Sequence, residues 1–186
     1  STLVLPGDNE LAEYGVMDRY SDSELATDKY GVNAFLNYMP TKEISLDLAT
    51  GIQSSEIVQN PLGNHDTPLM PRTSSTSYVD LRAAGYGFQF QTNYMVGDQD
   101  VQKDFDGWHV IPEVFNANLE YEKAFGTLIL RPGVSYQTTT YDDSDGFLNG
   151  SETITSFSGS LRADYKLFEK LRLIGAIRAD KYNNPE

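Results

Sequence analysis

The most closely set acidic side chains carry the first suggestion of chemistry. In Tyr141-Asp142-Asp143-Ser144-Asp145-Gly146, with Glu152 following, the glycine and the glutamate fall at the sixth and twelfth positions of a calcium-binding loop. The first position, where such a loop needs a carboxylate, is Tyr141. No helical periodicity flanks the segment, so an acidic solvated loop accounts for it better. A second cluster, Asp98, Asp100, Asp104 and Asp106, precedes Gly107-Trp108. Oxygen ligands that dense suit calcium, yet the plainer reading is again an acidic loop tip. Trp108 is the sole tryptophan, suited equally to stacking on a sugar ring, to a partner contact or to anchoring at an interface. His65 and His109 fall in different loops with no metal-ligand spacing. Asn149-Gly150-Ser151 matches a glycosylation acceptor, a motif too short to assign a modification by itself. There is no nucleophile–base constellation, phosphate-cradling loop or dinucleotide fingerprint. The residues therefore assign no catalytic, cofactor or metal site, ligand-contacting residues stay unassigned, and no enzymatic activity is expected.

Bulk composition narrows the partners. Of 186 residues, 14 are Lys or Arg and 27 are Asp or Glu, for a net charge of −13, and none is cysteine. A chain so acidic repels phosphates, which argues against nucleic acid. Without cysteine there is neither a disulfide framework nor a thiolate metal site. No run approaches the roughly 18 apolar residues of a spanning helix. Mean hydropathy is −0.43, but membrane strands alternate and never look hydrophobic in a window. Ser1-Thr2-Leu3-Val4 follows no basic region or apolar core, so the expectation is mature sequence or a fragment.

The elements that must position any site show a period of two. Tyr30, Val32, Ala34, Leu36 and Tyr38 share one face, and Asn33 and Asn37 take the other. Phe115, Ala117, Leu119 and Tyr121 oppose Asn116, Asn118, Glu120 and Glu122, and Phe157, Leu161, Ala163 and Tyr165 oppose Ser158, Ser160, Arg162 and Asp164. This is the alternation of half-buried strands. Between 77 and 95 the phase flips, and a turn at Ala84-Gly85-Tyr86-Gly87, with glycine supplying positive φ, divides one irregular strand into two regular ones. Eight strands are expected, near 30–38, 44–54, 75–83, 87–95, 113–123, 127–139, 153–165 and 171–181, preceded by a loop segment over 1–29. Their connections alternate short and long, as do the turns and loops at the two ends of a transmembrane barrel. Pro132 cannot donate a ladder hydrogen bond, and a bulge at Pro132-Gly133 is expected.

Alternation alone leaves open whether the apolar face looks inward or outward. The seven lysines, Lys29, Lys42, Lys103, Lys123, Lys166, Lys170 and Lys181, fall at strand ends, in turns or in loops. Arg82, Arg131, Arg162, Arg172 and Arg178 fall within strands on the polar face. An enclosed lumen favours arginine, whose planar fork pairs with carboxylates such as Asp80, Asp164, Asp180 and Glu120. Tyr30, Tyr38, Tyr94, Tyr121, Tyr136 and Tyr165 recur near the expected strand ends, as in an aromatic girdle. The expectation is an all-β, antiparallel transmembrane β-barrel of about eight up-and-down strands, with its apolar face on lipid.

Several segments resemble the barrel of TonB-dependent receptors of the Bacteroidetes type: Ser77-Tyr78-Val79-Asp80-Leu81-Arg82, Asn118-Leu119-Glu120-Tyr121, Leu130-Arg131-Pro132-Gly133-Val134-Ser135-Tyr136, Ser160-Leu161-Arg162-Ala163-Asp164-Tyr165, and the run from Leu171 to Pro185. The resemblance covers roughly residues 75–186. It implies an outer-membrane location, a barrel of about 22 strands closed by a plug, and nutrient uptake driven by a TonB-type energy-transducing partner. A surface lipoprotein is a further candidate partner. No plug or partner-binding box is legible in the first 29 residues, so the chain is expected to be an internal portion of such a barrel. Two other readings stay open: a complete eight-stranded barrel acting as adhesin or structural protein, and a soluble β-barrel binder with an apolar cavity. Pairing of strand 30–38 with strand 171–181 would distinguish the small closed barrel from the portion of a larger one.

Overall fold

The computed structural model describes residues 27–59, 70–101, 108–143 and 150–183. Their regular structure is entirely β: β1 (Asp28–Thr41), β2 (Ile44–Gln59), β3 (Met70–Gly85), β4 (Phe88–Val101), β5 (Trp108–Tyr121), β6 (Lys123–Phe125), β7 (Leu128–Asp143), β8 (Gly150–Phe168) and β9 (Leu171–Asn183). They form one antiparallel sheet in the order β1-β2-β3-β4-β5-β7-β8-β9, with β6 paired to β7. Each long strand lies beside its sequence neighbour, the outcome expected when close turns join consecutive antiparallel strands.

The strands outrun the spans expected from alternation. The ladder continues through Ser54↔Ser75, Ser55↔Ser74 and Glu56↔Thr73, where polar residues occupy both faces and periodicity disappears. Asp28 and Lys29, expected in the leading loop, already belong to β1; residues 1–26 lie outside the described residues. With longer strands, the close connections shrink to two residues each: Lys42-Glu43, Tyr86-Gly87, Gly126-Thr127 and Glu169-Lys170. The β3–β4 turn is thus centred on Tyr86 (φ 51) and Gly87 (φ 87). Two consecutive positive φ values are the type I′ signature that matches the twist of a hairpin. Gly87 suits its place, whereas Tyr86 adopts the left-handed conformation at a cost a glycine would not incur.

Pro132 is accommodated differently from the expectation. Register with β8 runs unbroken through Pro132↔Leu161 and Gly133↔Ser160, so no bulge forms there. The ladder toward β5 stops at Glu120↔Gly133 and resumes in the same register at Lys123↔Leu130. The missing donor therefore interrupts one ladder and separates β6 from β5 without shifting either. The Glu122 amide at this break donates instead to the Gly87 carbonyl at 2.7 Å. The bulge rule applies at another proline: register shifts between Tyr38 and Thr41, across Met39-Pro40, and a second shift lies between Lys166 and Phe168.

Register also sorts the two faces. One row crosses the sheet as Tyr38, Leu46, Ala83, Phe90, Leu119, Val134, Gly159 and Ala179. On this face charged strand residues among those described keep to the margins: Asp28, Glu56, Asp98, Asp100, Glu113, Asp142 and Lys181 toward the loop ends, and Lys123 at the turn end. Aromatic pairs knit it together, Phe88 on Tyr121 at 4.4 Å between ring centroids and Phe115 on Tyr136 at 6.1 Å. Tyr94 and Tyr136 lie well inside β4 and β7, so the girdle expected at strand ends does not include them.

Among the described residues no second layer covers the sheet. Among the described residues no large side chain is fully buried, and Val134, Leu119, Phe157 and Ile177 are 46%, 40%, 54% and 71% exposed. β1 and β9 make no contact with one another; each pairs on one side only.

Candidate functional site: the hydrogen-bonding face

Shifting every row by one residue exposes the opposite face. One register row reads Asn37, Asp47, Arg82, Gln91, Asn118, Ser135, Ser158 and Asp180, a hydrogen-bonding side chain from every long strand. The buried residues of the described chain are Gly51, Gly97, Asp143, Ser158 and Asp164, and the register puts all five on this face. In a curved sheet, side chains converge on the concave side and splay on the convex side. The hydrogen-bonding face is therefore concave and the apolar face convex.

Crowding on the concave side is met by pairing. Arg82 donates through Nε to Asp80 at 3.1 Å and Arg178 to Asp180 at 2.7 Å, each pair two residues apart on one strand and so on one face. Gln91 adds a bond to Asp80 at 3.3 Å, and Ser158 donates to Asp180 at 2.5 Å. Arg172 reaches diagonally from β9 to grip both oxygens of Asp164, which is 7% exposed. Arg131 bonds Glu122 at 2.5 Å. Glu122 stands opposite Arg131 because register survives the break at Pro132, and Arg131 takes this acid, which was not among the carboxylates singled out from sequence. Asn37 bonds Asp47 directly across β1 and β2.

Some features had no legible signal. Tyr78 lies over Gly51 and donates to Asn33 Oδ1 at 2.9 Å, two strands away. A Cβ at residue 51 would collide with both Tyr78 and Asn33, so the missing side chain makes room for the ring. Asp47, Arg82, Gln89, Gln91, Asn118 and Glu120 line a shallow hollow of ≈ 470 Å³ on the same face.

Only part of each acidic cluster lies among the described residues, and that part belongs to strands. Asp142 and Asp143 belong to β7 and Glu152 to β8, where Glu152 pairs with Tyr141; 144–149, and with them Asp145 and Asn149, lie outside the described residues. Asp98 and Asp100 belong to β4, and Asp98 meets His109 Nε2 at 2.9 Å. Asp104, Asp106, Lys103 and His65 lie outside the described residues. Among the described residues no three His, Asp or Glu side chains converge as a metal would require.

Fold and site together define an antiparallel up-and-down sheet, apolar on its convex side and hydrogen-bonding on its concave side. No protein-family model matches the sequence, and no curated protein does. Among solved structures, the chain is similar to the outer-membrane expressed OmpT of Vibrio cholerae, with 10% identity and a TM-score of 0.47 over 89% of this chain and 49% of that one. Against in-vitro folded OmpT, an outer membrane protein of the same organism, identity is 11% and TM-score 0.46, over 89% of this chain and 48% of that one. The chain thus spans about half the length of these solved chains.

Proposed function

We propose that this chain forms part of the wall of a bacterial outer-membrane β-barrel, its apolar convex face on lipid and its concave face lining a wet lumen. One observation carries the reading: among the described residues every buried one lies on the polar side and the apolar face is uncovered, as when the polar side is the inside of a curved wall. A soluble barrel would turn its apolar residues to the concave side. From Glu113 to Lys123 the β5–β6 line runs about 33 Å at a strand rise of about 3.3 Å, and a tilt of about 40° brings its height to about 25 Å, the height of a barrel's apolar band. Both sheet edges also need partners, because an unpaired backbone is not tolerated in hydrocarbon. That favours a portion of a larger barrel over a closed eight-stranded one, since β1 and β9 do not meet.

Within that reading, the resemblance over residues 75–186 makes the larger barrel an active importer of the TonB-dependent type, with a plug and an inner-membrane energy-transducing partner. The sequence contains no cysteine, so single cysteines can report faces. Fluorophores on Leu119→Cys, Val134→Cys and Phe157→Cys are expected to be quenched by brominated lipid, and those on Asn118→Cys, Ser135→Cys and Ser158→Cys by an aqueous quencher. The reverse pattern, or a folded monomer in plain buffer, overturns the membrane reading. For the full-length protein, uptake that survives collapse of the proton gradient overturns the energised-import part.

A further inference from the structure

Although the chain carries −13 overall, the turn-side part of the concave face on β7, β8 and β9 is positive. Arg131, Arg162, Lys166 and Arg172 stand there with Glu122 and Asp164 among them, Glu120 one row toward the loops and Glu169 in the turn. The register opposes like charges directly, Arg131↔Arg162 and Lys166↔Arg172. Such pairs cost stability when nothing of opposite charge lies between them. The hydrogen bonds of the two acids go to Arg131 and Arg172, so Glu122 and Asp164 temper the charge of the first pair without bonding Arg162. Arg162 is left with no hydrogen-bond or ion-pair partner among the described residues. The positions around it are small: Ala176 opposite on β9, Gly133 and Ser160 toward the loop side. A group of modest size therefore fits against its guanidinium from the lumen.

We propose that Arg162, with Arg131 beside it, is a binding site for an anionic oxygen group, a carboxylate or a phosphate, on a small solute in the barrel lumen. The inference rests on the barrel reading, which makes this face a lumen wall. A guanidinium presents two parallel N–H groups that match two oxygens of a carboxylate or phosphate. Arg131 can offer its remaining donors while holding Glu122, so two cations serve one anion. Lys166, which has no carboxylate bonded to it among the described residues, adds positive charge beside the pair.

The test uses the full-length protein in uncharged detergent micelles, titrated separately with inorganic phosphate, citrate and glucose while the arginine Nε–Hε resonances are followed by NMR. Saturable shifts of Arg162 and Arg131 with phosphate, citrate or both, and none with glucose, are expected; which anion acts distinguishes phosphate from carboxylate solutes. Arg162→Gln should weaken the response of Arg131 about tenfold or more, the loss of a charged hydrogen bond. Arg162→Lys should weaken it less, and Arg178→Gln should leave it unchanged. No saturable shift with either anion, or an equal loss in Arg178→Gln, overturns the site. Far-UV circular dichroism of the same samples separates two failures: intact strand signal without a shift overturns the anion site alone, whereas absent strand signal overturns the barrel reading and the site with it.

Discussion

Val134 and Gln137 lie three residues apart on β7 and on opposite faces, which makes them a sensitive pair for the division of the sheet. Val134 is in an apolar row flanked by Leu119 and Gly159. Gln137 stands between Asn116 and Ser156 on the concave side. Val134→Lys should cost about 2–4 kcal/mol in lipid, the penalty of a cation near the bilayer midplane. Gln137→Lys should change stability by less than about 1 kcal/mol, since water reaches the concave face. Denaturant unfolding in lipid vesicles measures both; equal costs would sink the assignment of faces. The glycine at 51 shows the same division at closer range, because a ring and an amide from two other strands fill the space its side chain would need.

At the scale of the element, Pro132 is the informative residue. It splits β6 from β5 while the register holds on both sides of the gap. Replacing it by alanine restores one backbone donor in a ladder already aligned to receive it. Pro132→Ala should therefore raise stability by about 1 kcal/mol, the net worth of a hydrogen bond, and slow amide exchange at Glu120–Lys123. An unchanged midpoint would mean that the break has another cause. The bulge at Met39-Pro40 is the complementary case: close to the β1–β2 turn, an extra residue is accommodated by local twist. In mid-sheet, a shift at Pro132 would have moved every following side chain to the wrong face.

At the scale of the whole molecule, the described residues form one sheet with no second layer and two unjoined edges, which cannot bury a core against itself. Outward-pointing amides on β1 and β9 should exchange about tenfold or more faster than those of β3 and β4 when the chain is studied alone in detergent. Inward amides of the same strands, bonded to β2 and β8, should be protected, giving alternation along each edge. Uniform protection along both edges would mean that β1 and β9 meet. On the proposed larger-barrel reading the alternation should vanish in the full-length protein, because neighbouring strands then complete both ladders.

Much of this was legible in the residues themselves. A period of two requires only that neighbouring side chains point to opposite faces, so the existence, order and direction of the long strands could be read from apolar spacing and turn residues. Strand ends could not, because Thr73-Ser74-Ser75-Thr76 carries no hydrophobic alternation and its place in β3 comes from the ladder with β2. The arginines could be placed on the polar face, but not their acids: Arg131 takes Glu122 because β6 keeps the register of β5, a relation between strands that no spacing along one strand contains. Curvature was likewise undecided, since an alternating strand reads the same whichever way the sheet bends. Only the tertiary structure, by crowding Ser158, Asp164 and Asp143 on one side, points to the polar face as the concave one, with Arg162 in it opposite a second arginine and bonded to no acid among the described residues.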